Sequence, residues 1–491
     1  PMSTFVAYNY CDGAPLTRFQ PVSEGVVRVQ TRGRDDHTVS LGLPDRAASV
    51  TFQYNDFSAA ESMATNTKVT VSAPAFTYNV KDLQPHEAHL LVQHYRTSKP
   101  TIPFRYPAQE SIIRYQYLSG DMFPYTPEAT NKLRPLFTPI VHGAYSPDVS
   151  KGNDERCVAT RIVNTQQNAK NGPLPDDIRA YTYEFADHIL RKAGFTSAIN
   201  PADLDTVYEK QARPTQVRIL DEACNYARPA TEVFIKSFQK AEAYSEPNDP
   251  RNISTIPAEA KLFLSMLQYG ISSLLKKQDW YAFGRAPAKI ARLVANRVSE
   301  SDTIFLGDYS RMDGTVSERA REVEWICYSV WYHARIRAAA MSARRLYTGA
   351  KARTSQGVSY KTGLTRLSGG ADTSDSNTLH PAHEVYVARR RAGVPADEAF
   401  ERLGVFGGDD SLTDTDFSAI ATEMGFSIKM KIAERGETVD FFSRVYSPGV
   451  WDGATDNMQE PRRALAKLHT TTAQITSPER LHKQVLAKAL S

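Results

Sequence analysis

Three aspartates hold the chemical potential of this chain. Asp308 closes the apolar stretch Ile304 to Leu306, and Asp409 with Asp410 fills the turn after Leu403 to Phe406, a second apolar stretch that ends in Gly407 and Gly408. Carboxylates gathered at strand ends repel one another and resist ionisation unless cations neutralise them. Two Mg²⁺ ions answer that need, because Mg²⁺ prefers oxygen ligands from a few carboxylates together with substrate phosphates. Such a pair, about 4 Å apart, can activate an attacking 3′-hydroxyl while stabilising a departing pyrophosphate. A Gly-Asp-Asp tripeptide alone is an ordinary β-turn and gains meaning only from its company.

The elements that must position these groups run strand, long helix, strand-turn-strand, helix, strand, the order of a compact sheet covered by helices. After Ile304 to Leu306, a long amphipathic helix is expected from about Ser317 to Leu346, with Val323, Ile326, Val330 and Ala334 on one face. A Gly-rich loop, Ser368 to Ala371, leads to a helical stretch that Pro381 must begin or kink. Asp416 to Met424 predicts a short helix stopped by Gly425, and Ser427 to Ile432 alternates as a strand. Upstream, short β-like stretches (Gly25 to Gln30, Ala48 to Tyr54, Lys68 to Ser72) mark the first 125 residues. Pro135 to Glu300 predicts mainly helix, clearest over Ile178 to Ala193 and Ala258 to Leu275.

Asp308 and Asp313 frame Asp308-Tyr309-Ser310-Arg311-Met312-Asp313-Gly314, and Ser368-Gly369-Gly370-Ala371-Asp372-Thr373-Ser374-Asp375-Ser376-Asn377 follows downstream. Together with Gly408-Asp409-Asp410 these segments resemble the palm motifs of viral RNA-dependent RNA polymerases. The likeness is to a first motif with two aspartates five positions apart, a second reading SG-x3-T-x3-N and a third reading GDD, in the family's order. Lys240-Ala241-Glu242 with Arg251-Asn252-Ile253 looks like the basic fingers motif. Met424 to Lys429 is similar to the fourth palm motif, and Phe441-Phe442-Ser443-Arg444 resembles the fifth, which supports the primer strand. Among polymerase groups the likeness is to nodavirus-like replicases of positive-strand RNA viruses. It is strong from about Lys236 to His469 and thin before Pro135.

The resemblance implies an α+β right-hand polymerase of fingers, palm and thumb, with a ferredoxin-like antiparallel palm sheet. It implies Asp308 and Asp409 as principal metal ligands, Asp410 as an auxiliary ligand and the Tyr309 carbonyl completing the shell, around two Mg²⁺ ions for which Mn²⁺ can substitute. Asp313 and Asn377, helped by Ser368 and Thr373, would read the ribose 2′-hydroxyl, the group that separates a ribonucleotide from a deoxyribonucleotide. Lys240 and Arg251 would neutralise the triphosphate. Gly369, with Gly370, would let the loop flex as the template advances. Lys429 would protonate the leaving pyrophosphate, with Lys431, two positions on and on the same strand face, as a competing choice.

Composition is compatible with this. The 491 residues are enough for about three domains or one multi-lobed enzyme, and 41% apolar with 23% charged residues excludes a disordered tail or a fibre. Cys11, Cys157, Cys224 and Cys327 lie too far apart for a zinc site or a compact disulfide framework. No apolar run approaches the roughly 18 residues that span a bilayer. The net charge of +4 is small, but Arg335, Arg337, Arg344, Arg345, Lys351 and Arg353 form an acid-free basic cluster, and Arg389 to Arg391 a second. Beside the acidic motifs, both predict a phosphate-tracking surface. His380, His383 and Glu384 have the wrong spacing for the zinc-protease pattern, with Pro381 between the histidines. Asp372 and Asp375 are expected as solvated or hydrogen-bonded loop residues, and Tyr328, Trp331 and Tyr332 as packing.

The expected division is a β-rich extension over 1–125, fingers over 126–300, palm over 301–339, a fingers insertion over 340–367, palm over 368–450, and the start of an incomplete thumb over 451–491. Expected partners are an RNA template, the nascent strand, nucleoside triphosphates and other replicase segments. The expected location is the host cytoplasm, at membrane-associated replication complexes reached through parts absent from this chain. Two alternatives stay open on the residues: a non-catalytic RNA-binding replication scaffold, and a reverse transcriptase on the same palm.

Overall fold

The computed structural model describes residues 112–117, 133–136, 144–167, 172–196, 198–225, 233–244, 246–345, 347–473 and 478–490, positions 85, 88 and 92, and four strands between 16 and 53. Strands β1 to β4 (Leu16–Ser23, Val26–Arg32, Asp36–Gly42, Ala47–Gln53) form an antiparallel meander. Strands β5 (Ile113–Tyr115) and β6 (Tyr145–Pro147) extend it to a six-stranded sheet. Two of the expected β-like stretches fall on β2 and β4, while Lys68 to Ser72 lies outside the described residues.

Helix α1 (Lys151–Val158) continues through a π-helical turn at Ala159–Val163, and α2 (Asp176–Lys192) follows. Next come β7 (Phe234–Gln239), β8 (Asn252–Thr255), α3 (Ala258–Leu275) and α4 (Pro287–Ser299). Residues 135–300 are mainly helical, as expected, and the β7–β8 ladder is an exception that the pattern did not show. Its signal is hidden because β7 turns Ile235, Ser237 and Gln239 inward and Phe234, Lys236 and Phe238 outward, so polarity does not follow burial.

Strand β9 (Thr303–Tyr309) then leads into α5 (Glu318–Trp331) and α6 (Ala334–Arg345). These two helices replace the single expected helix from Ser317 to Leu346. Between them Tyr332 is extended, at φ −100° and ψ 146°. Tertiary contacts outweigh helical propensity there: the Ile199 N–H donates to the Trp331 carbonyl at 2.7 Å, and the Tyr332 hydroxyl donates to the Leu267 carbonyl. Strands β10 (Lys351–Thr354) and β11 (Ser359–Lys361) join β7 and β8 in a four-stranded sheet of order β11-β10-β7-β8.

The remaining elements are α7 (Thr373–Arg391), which contains Pro381 inside it, β12 (Val405–Gly407), β13 (Asp410–Thr413), α8 (Ser418–Glu423) and β14 (Ile428–Glu434). They are followed by β15 (Val439–Phe441), β16 (Arg444–Tyr446), β17 (Asn457–Gln459), α9 (Pro461–Leu468) and α10 (Pro478–Leu490). A second four-stranded sheet has the order β12-β13-β9-β14, with every neighbouring pair antiparallel. Counting from β9 in chain order, this is strand order 2-3-1-4, with helices between the first and second strands and between the third and fourth.

Two apolar clusters cover that sheet. One gathers Ile189, Leu274, Tyr309, Val323, Trp331, Val385 and Phe406 from α2, α3, α5, α7 and the sheet. The other packs Val294 and Val298 of α4 against Ile304, Leu306, Val405 and Leu412. Burial along β9 ends after Leu306 on this second face, and Asp308, two residues on, is exposed.

The Arg389 to Arg391 cluster does not present itself to phosphate. Arg389 pairs with Asp414, Arg390 with Glu184 at 2.7 Å, and Arg391 with Asp177 at 2.7 Å and Glu423 at 2.5 Å, tying α7 to α2 and α8. Among the described residues, no helix is long and apolar enough to cross a membrane.

Trp331 is fully buried, as are Tyr332 and nearly all of Tyr328, so these three rings pack as expected. The Trp331 Nε1–H donates to the Ala186 carbonyl at 2.9 Å. Trp331→Ala is expected to lower stability by about 3–5 kcal/mol, read from the urea midpoint. A loss under about 1 kcal/mol would mean that this aromatic cluster does not hold α5 against α2.

Candidate active site

The antiparallel register decides where the aspartates stand. Asp308 on β9 is the direct partner of Asp410 on β13 and of Lys429 on β14. Direct partners share a face with Cβ atoms about 5 Å apart, so Asp410, Asp308 and Lys429 form one row across the sheet. Asp409 precedes this row in the β12–β13 turn and is exposed. Lys431, the competing lysine, is held by Asp440 at 2.5 Å.

Two glycines and a threonine shape the turn. Gly408 has φ +67°, and its N–H donates to Thr378 Oγ1 of α7 at 2.8 Å. A Cβ on Gly407 would lie 1.8 Å from the Phe442 ring, so only glycine lets that ring pack under the turn. Phe442 and Ser443 both have positive φ, 52° and 55°, the conformation of a two-residue type I′ hairpin turn. Stacking of Phe442 on Phe441, with centroids 4.6 Å apart, and the Ser443 carbonyl bond from the Glu460 N–H at 2.9 Å hold this turn.

A cavity of about 470 Å³ opens beside the row. Asp308, Tyr309, Asp313, Ser368, Thr373, Asn377, Asp409 and Arg251 all line it. Asp410, Lys429, Gly369 and Lys240 are not part of its wall. Lys240 and Arg251 share Glu242, at 3.0 and 3.5 Å. Tyr309 turns its ring into the core, where its hydroxyl donates to Glu384. The Thr373 hydroxyl donates to the Leu367 carbonyl at 3.1 Å, and the Ser368 carbonyl accepts from the Ser254 N–H at 2.8 Å, which fixes the loop against the edge of β8.

Sequence reading missed the cation behind these polar groups. Arg366 is almost wholly buried; its Nε donates to Asn377 Oδ1 at 2.5 Å, one Nη donates to Asp372 at 2.9 Å and the other pairs with Glu324. Asn377 in turn donates to Asp313 Oδ1 at 2.8 Å. Asp372 is therefore an ion-pair partner. Asp372 is the expected hydrogen-bonded loop residue, whereas Asp375 is buried in α7, accepting from Gln268 at 2.7 Å and from the Tyr281 hydroxyl. His380 bonds Glu324 at 3.0 Å and His383 bonds Thr182 at 2.8 Å, which spends both rings on packing. Arg366 lies two residues before the Ser368-Gly369 pair, but no periodicity distinguishes it from a surface arginine.

Arg311 was also missed. Its backbone is left-handed, at φ 57° and ψ 45°, a conformation that costs roughly 1–2 kcal/mol for a residue with a Cβ. Its guanidinium donates to the Thr160 carbonyl in the π-turn at 2.9 Å and pairs with the buried Asp249. These bonds offset the strain and turn the chain from β9 into the helical turn that contains Asp313.

Charge crowding leaves its mark on the carboxylates. Burial, then Asp409, raises Asp308 above the usual range, while Lys429 and Arg251 pull it down. Asp410 is pushed up to about 6, by burial first and then by Asp409 and Asp308, with Arg463 opposing. Burial also raises Asp313, against the Asn377 bond and Arg366. Among the described residues no group of three or more His, Cys, Asp and Glu side chains forms a ready metal cage.

With this geometry in place, comparison with known proteins defines the class. A sequence model described as viral RNA dependent RNA polymerase matches residues 144–401, and the chain belongs to that family. It is 35% identical over 342 residues to the RNA-directed RNA polymerase of Atlantic halibut nervous necrosis virus, covering 68% of this chain and 34% of the relative. Identity to that of striped jack nervous necrosis virus is 33% over 372 residues, 73% of this chain and 37% of the relative. For Nodamura virus it is 28% over 334 residues, 65% and 31%. The chain thus spans between 31% and 37% of the length of these relatives, and the nodavirus-like resemblance of its motifs stands.

The raised Asp410 makes the metal-free protein pH-sensitive. A folded-state value near 6, above the unfolded value of about 3.9, gives a contribution to stability that is full below about pH 3.9 and lost as pH rises through about 6. In EDTA, Asp410→Asn is expected to melt about 1–3 °C above the parent at pH 8 and together with it near pH 4. Identical melting at both pH values would mean that neither burial nor the neighbouring aspartates raise Asp410.

Proposed function

We propose that this chain is the catalytic core of a viral RNA-dependent RNA polymerase, adding ribonucleotides to a strand paired with an RNA template. The supporting observation is the Asp410–Asp308–Lys429 row, whose Asp308 lines a cavity together with Asp409, Asp313, Asn377 and Arg251. The 2-3-1-4 antiparallel sheet serves as a ferredoxin-like palm. Residues 126–300 and 340–367 serve as fingers, 301–339 and 368–450 as palm, and those from 451 as the start of a thumb.

Asp308, Asp409 and Asp410 would hold Mg²⁺ ions, with the Tyr309 carbonyl as a further donor. The all-oxygen donor set, and the elevation of Asp308 and Asp410 by burial and then by Asp409, fit divalent cations. When bound, two such ions would supply charge neutralisation at the attacking and departing oxygens. Arg251 reaches the cavity wall with a planar fork suited to phosphate oxygens, and Lys240 stands beside it across Glu242. Lys429, the strand partner of Asp308, would give a proton to the departing pyrophosphate.

Asp313 and Asn377 perform sugar selection. Arg366 takes the Asn377 carbonyl oxygen, so the amide nitrogen must face Asp313 and the cavity in a fixed orientation. A preset polar pair loses its partner when a 2′-deoxy substrate enters, which is how such a site rejects it. Ser368 and Thr373 complete that wall, beside Gly369 in the loop.

The substrates would be nucleoside triphosphates and the partners an RNA template, the growing strand and other replicase segments. The setting would be replication of a positive-strand RNA genome in the host cytoplasm, at membrane-associated complexes.

Two measurements test this. On a short primed RNA with Mg²⁺ and all four ribonucleotides, the parent chain is expected to extend the primer, and Asp409→Asn to fall to background while keeping the parent melting curve. Undiminished extension by the variant would refute the assignment. Asn377→Ala is expected to reduce discrimination between a ribonucleotide and its 2′-deoxy analogue by at least about tenfold, against the 10⁴–10⁵ available to a hydrogen-bonding site. Unchanged discrimination would remove Asn377 from sugar selection.

A further inference from the structure

The sheet β11-β10-β7-β8 has one face packed on Val158, Ile162 and Ile256 and another that is open. On β7 the open positions are Phe234, Lys236 and Phe238, and the two rings are 48% and 47% exposed. Register extends this face sideways. Phe234 is the partner of Lys351, which is the partner of Lys361. Lys236 is flanked by Arg353 and Thr255, and Phe238 by Ile253.

The open face therefore carries two aromatic rings about 13 Å apart on one strand, with four cations around them: Lys236, Lys351, Arg353 and Lys361. No Asp or Glu stands on any of the four strands. None of these cations forms an ion pair among the described residues. Exposed phenylalanine is costly on a monomer's surface unless it meets something, and the packed face shows what was given up for it: Ser237 and Gln239 point inward, bonded to Tyr360, Asp154 and the Ser150 carbonyl.

We infer that the open face of this sheet is a binding platform for single-stranded RNA, with bases stacked on Phe234 and Phe238 and phosphates held by Lys236, Lys351, Arg353 and Lys361. Every base offers a π-face, so stacking on exposed rings inside a basic surface binds a strand whatever its sequence. The same surface offers a duplex only its charges, because paired bases are already stacked. The platform also adjoins the catalytic cavity. The Ser254 N–H of β8 donates to the Ser368 carbonyl, and a Cβ on Gly369 would lie 3.5 Å from Ile253 Cγ2, so strand β8 separates the open face from the cavity loop. The choice of RNA as occupant rests on the polymerase reading.

The test uses the full chain and a fluorescein-labelled 20-nucleotide RNA without secondary structure, followed by anisotropy. Phe234→Leu with Phe238→Leu keeps an apolar surface and removes the rings. It is expected to weaken single-strand binding by roughly 10–100-fold and to leave binding of a 20-base-pair duplex within about twofold. Lys351→Ala with Arg353→Ala is expected to lessen the slope of log affinity against log salt by about 1.4, the loss of two single-strand phosphate contacts. Single-strand affinity within twofold of the parent in the double leucine variant overturns the platform, as does an equal loss for single strand and duplex. Primer extension by the parent, run alongside, reports on the polymerase reading independently. Extension with unaltered variant affinity sinks the platform alone, and parent binding without extension sinks only the catalytic reading.

Discussion

Two carboxylates facing each other across neighbouring strands are unfavourable, and much of the surrounding structure serves to hold Asp308 and Asp410 in that position. Like charges at directly opposed positions destabilise a ladder, so the register must be imposed by something stronger. A slip of one residue would turn Ile304 and Leu306 away from Val294 and Val298 of α4. Burying those side chains outweighs the repulsion of a single carboxylate pair. Gly307 and Ser411 lie opposite each other one step further in, where a Cβ on Gly307 would approach Ser411 Oγ to 2.4 Å. The strands meet closely at the point where the charge is concentrated. Burial first, and then the neighbouring Asp409, raise both carboxyl groups above the usual range.

The second constraint is the buried Arg366. A guanidinium withdrawn from water is tolerated only when its donors are satisfied and its charge is matched. Here Glu324 from α5, Asp372 before α7 and Asn377 within α7 surround it. Glu324 is itself wholly buried and is shared with Arg321 and His380. One cation thus ties α5, the loop before α7 and the first turn of α7 to each other, and through Asn377 to Asp313. Replacing such a centre with apolar groups can leave stability unchanged. What it supplies instead is orientation, because an asparagine whose oxygen is occupied by a cation has only its nitrogen left to offer.

How much of this could be read beforehand follows from what each feature depends on. The catalytic sheet was legible because apolar runs, Gly407-Gly408 and the acidic turns are local signals, and three of its four strands were predicted within a few residues. The carboxylate row needed only the further assumption that those strands pair. Arg366 was not legible, because its role depends on three partners that only the folded chain brings near. The break at Tyr332 was missed for the same reason: the residues there favour a helix, and Ile199 and Leu267, both more than 60 residues away, override them. The Arg389 to Arg391 run misled because a cluster of cations reads alike whether it meets phosphate or Asp177, Glu184, Asp414 and Glu423.

Strand β7 shows where pattern reading fails in an informative way. Hydrophobic alternation identifies a strand when apolar residues face inward, and Phe-Ile-Lys-Ser-Phe-Gln breaks that rule at four of its six positions, keeping it only at Ile235 and Lys236. A sequence under selection for stability alone would have its phenylalanines on the packed face, where each would add burial. Instead the packed face is built from Ser237, which accepts from the Tyr360 hydroxyl, and Gln239, whose amide nitrogen donates to Asp154 and the Ser150 carbonyl while its Oε1 has no partner among the described residues. Violations of local rules concentrate where function outweighs stability. The left-handed Arg311, the Phe442-Ser443 turn and the carboxylate row are three further violations: Arg311 and Asp308 line the cavity, and Phe442 packs against Gly407 beside the Asp409-Asp410 turn. The inverted strand is the neighbour of β8, whose Ser254 N–H holds the Ser368 loop of that cavity.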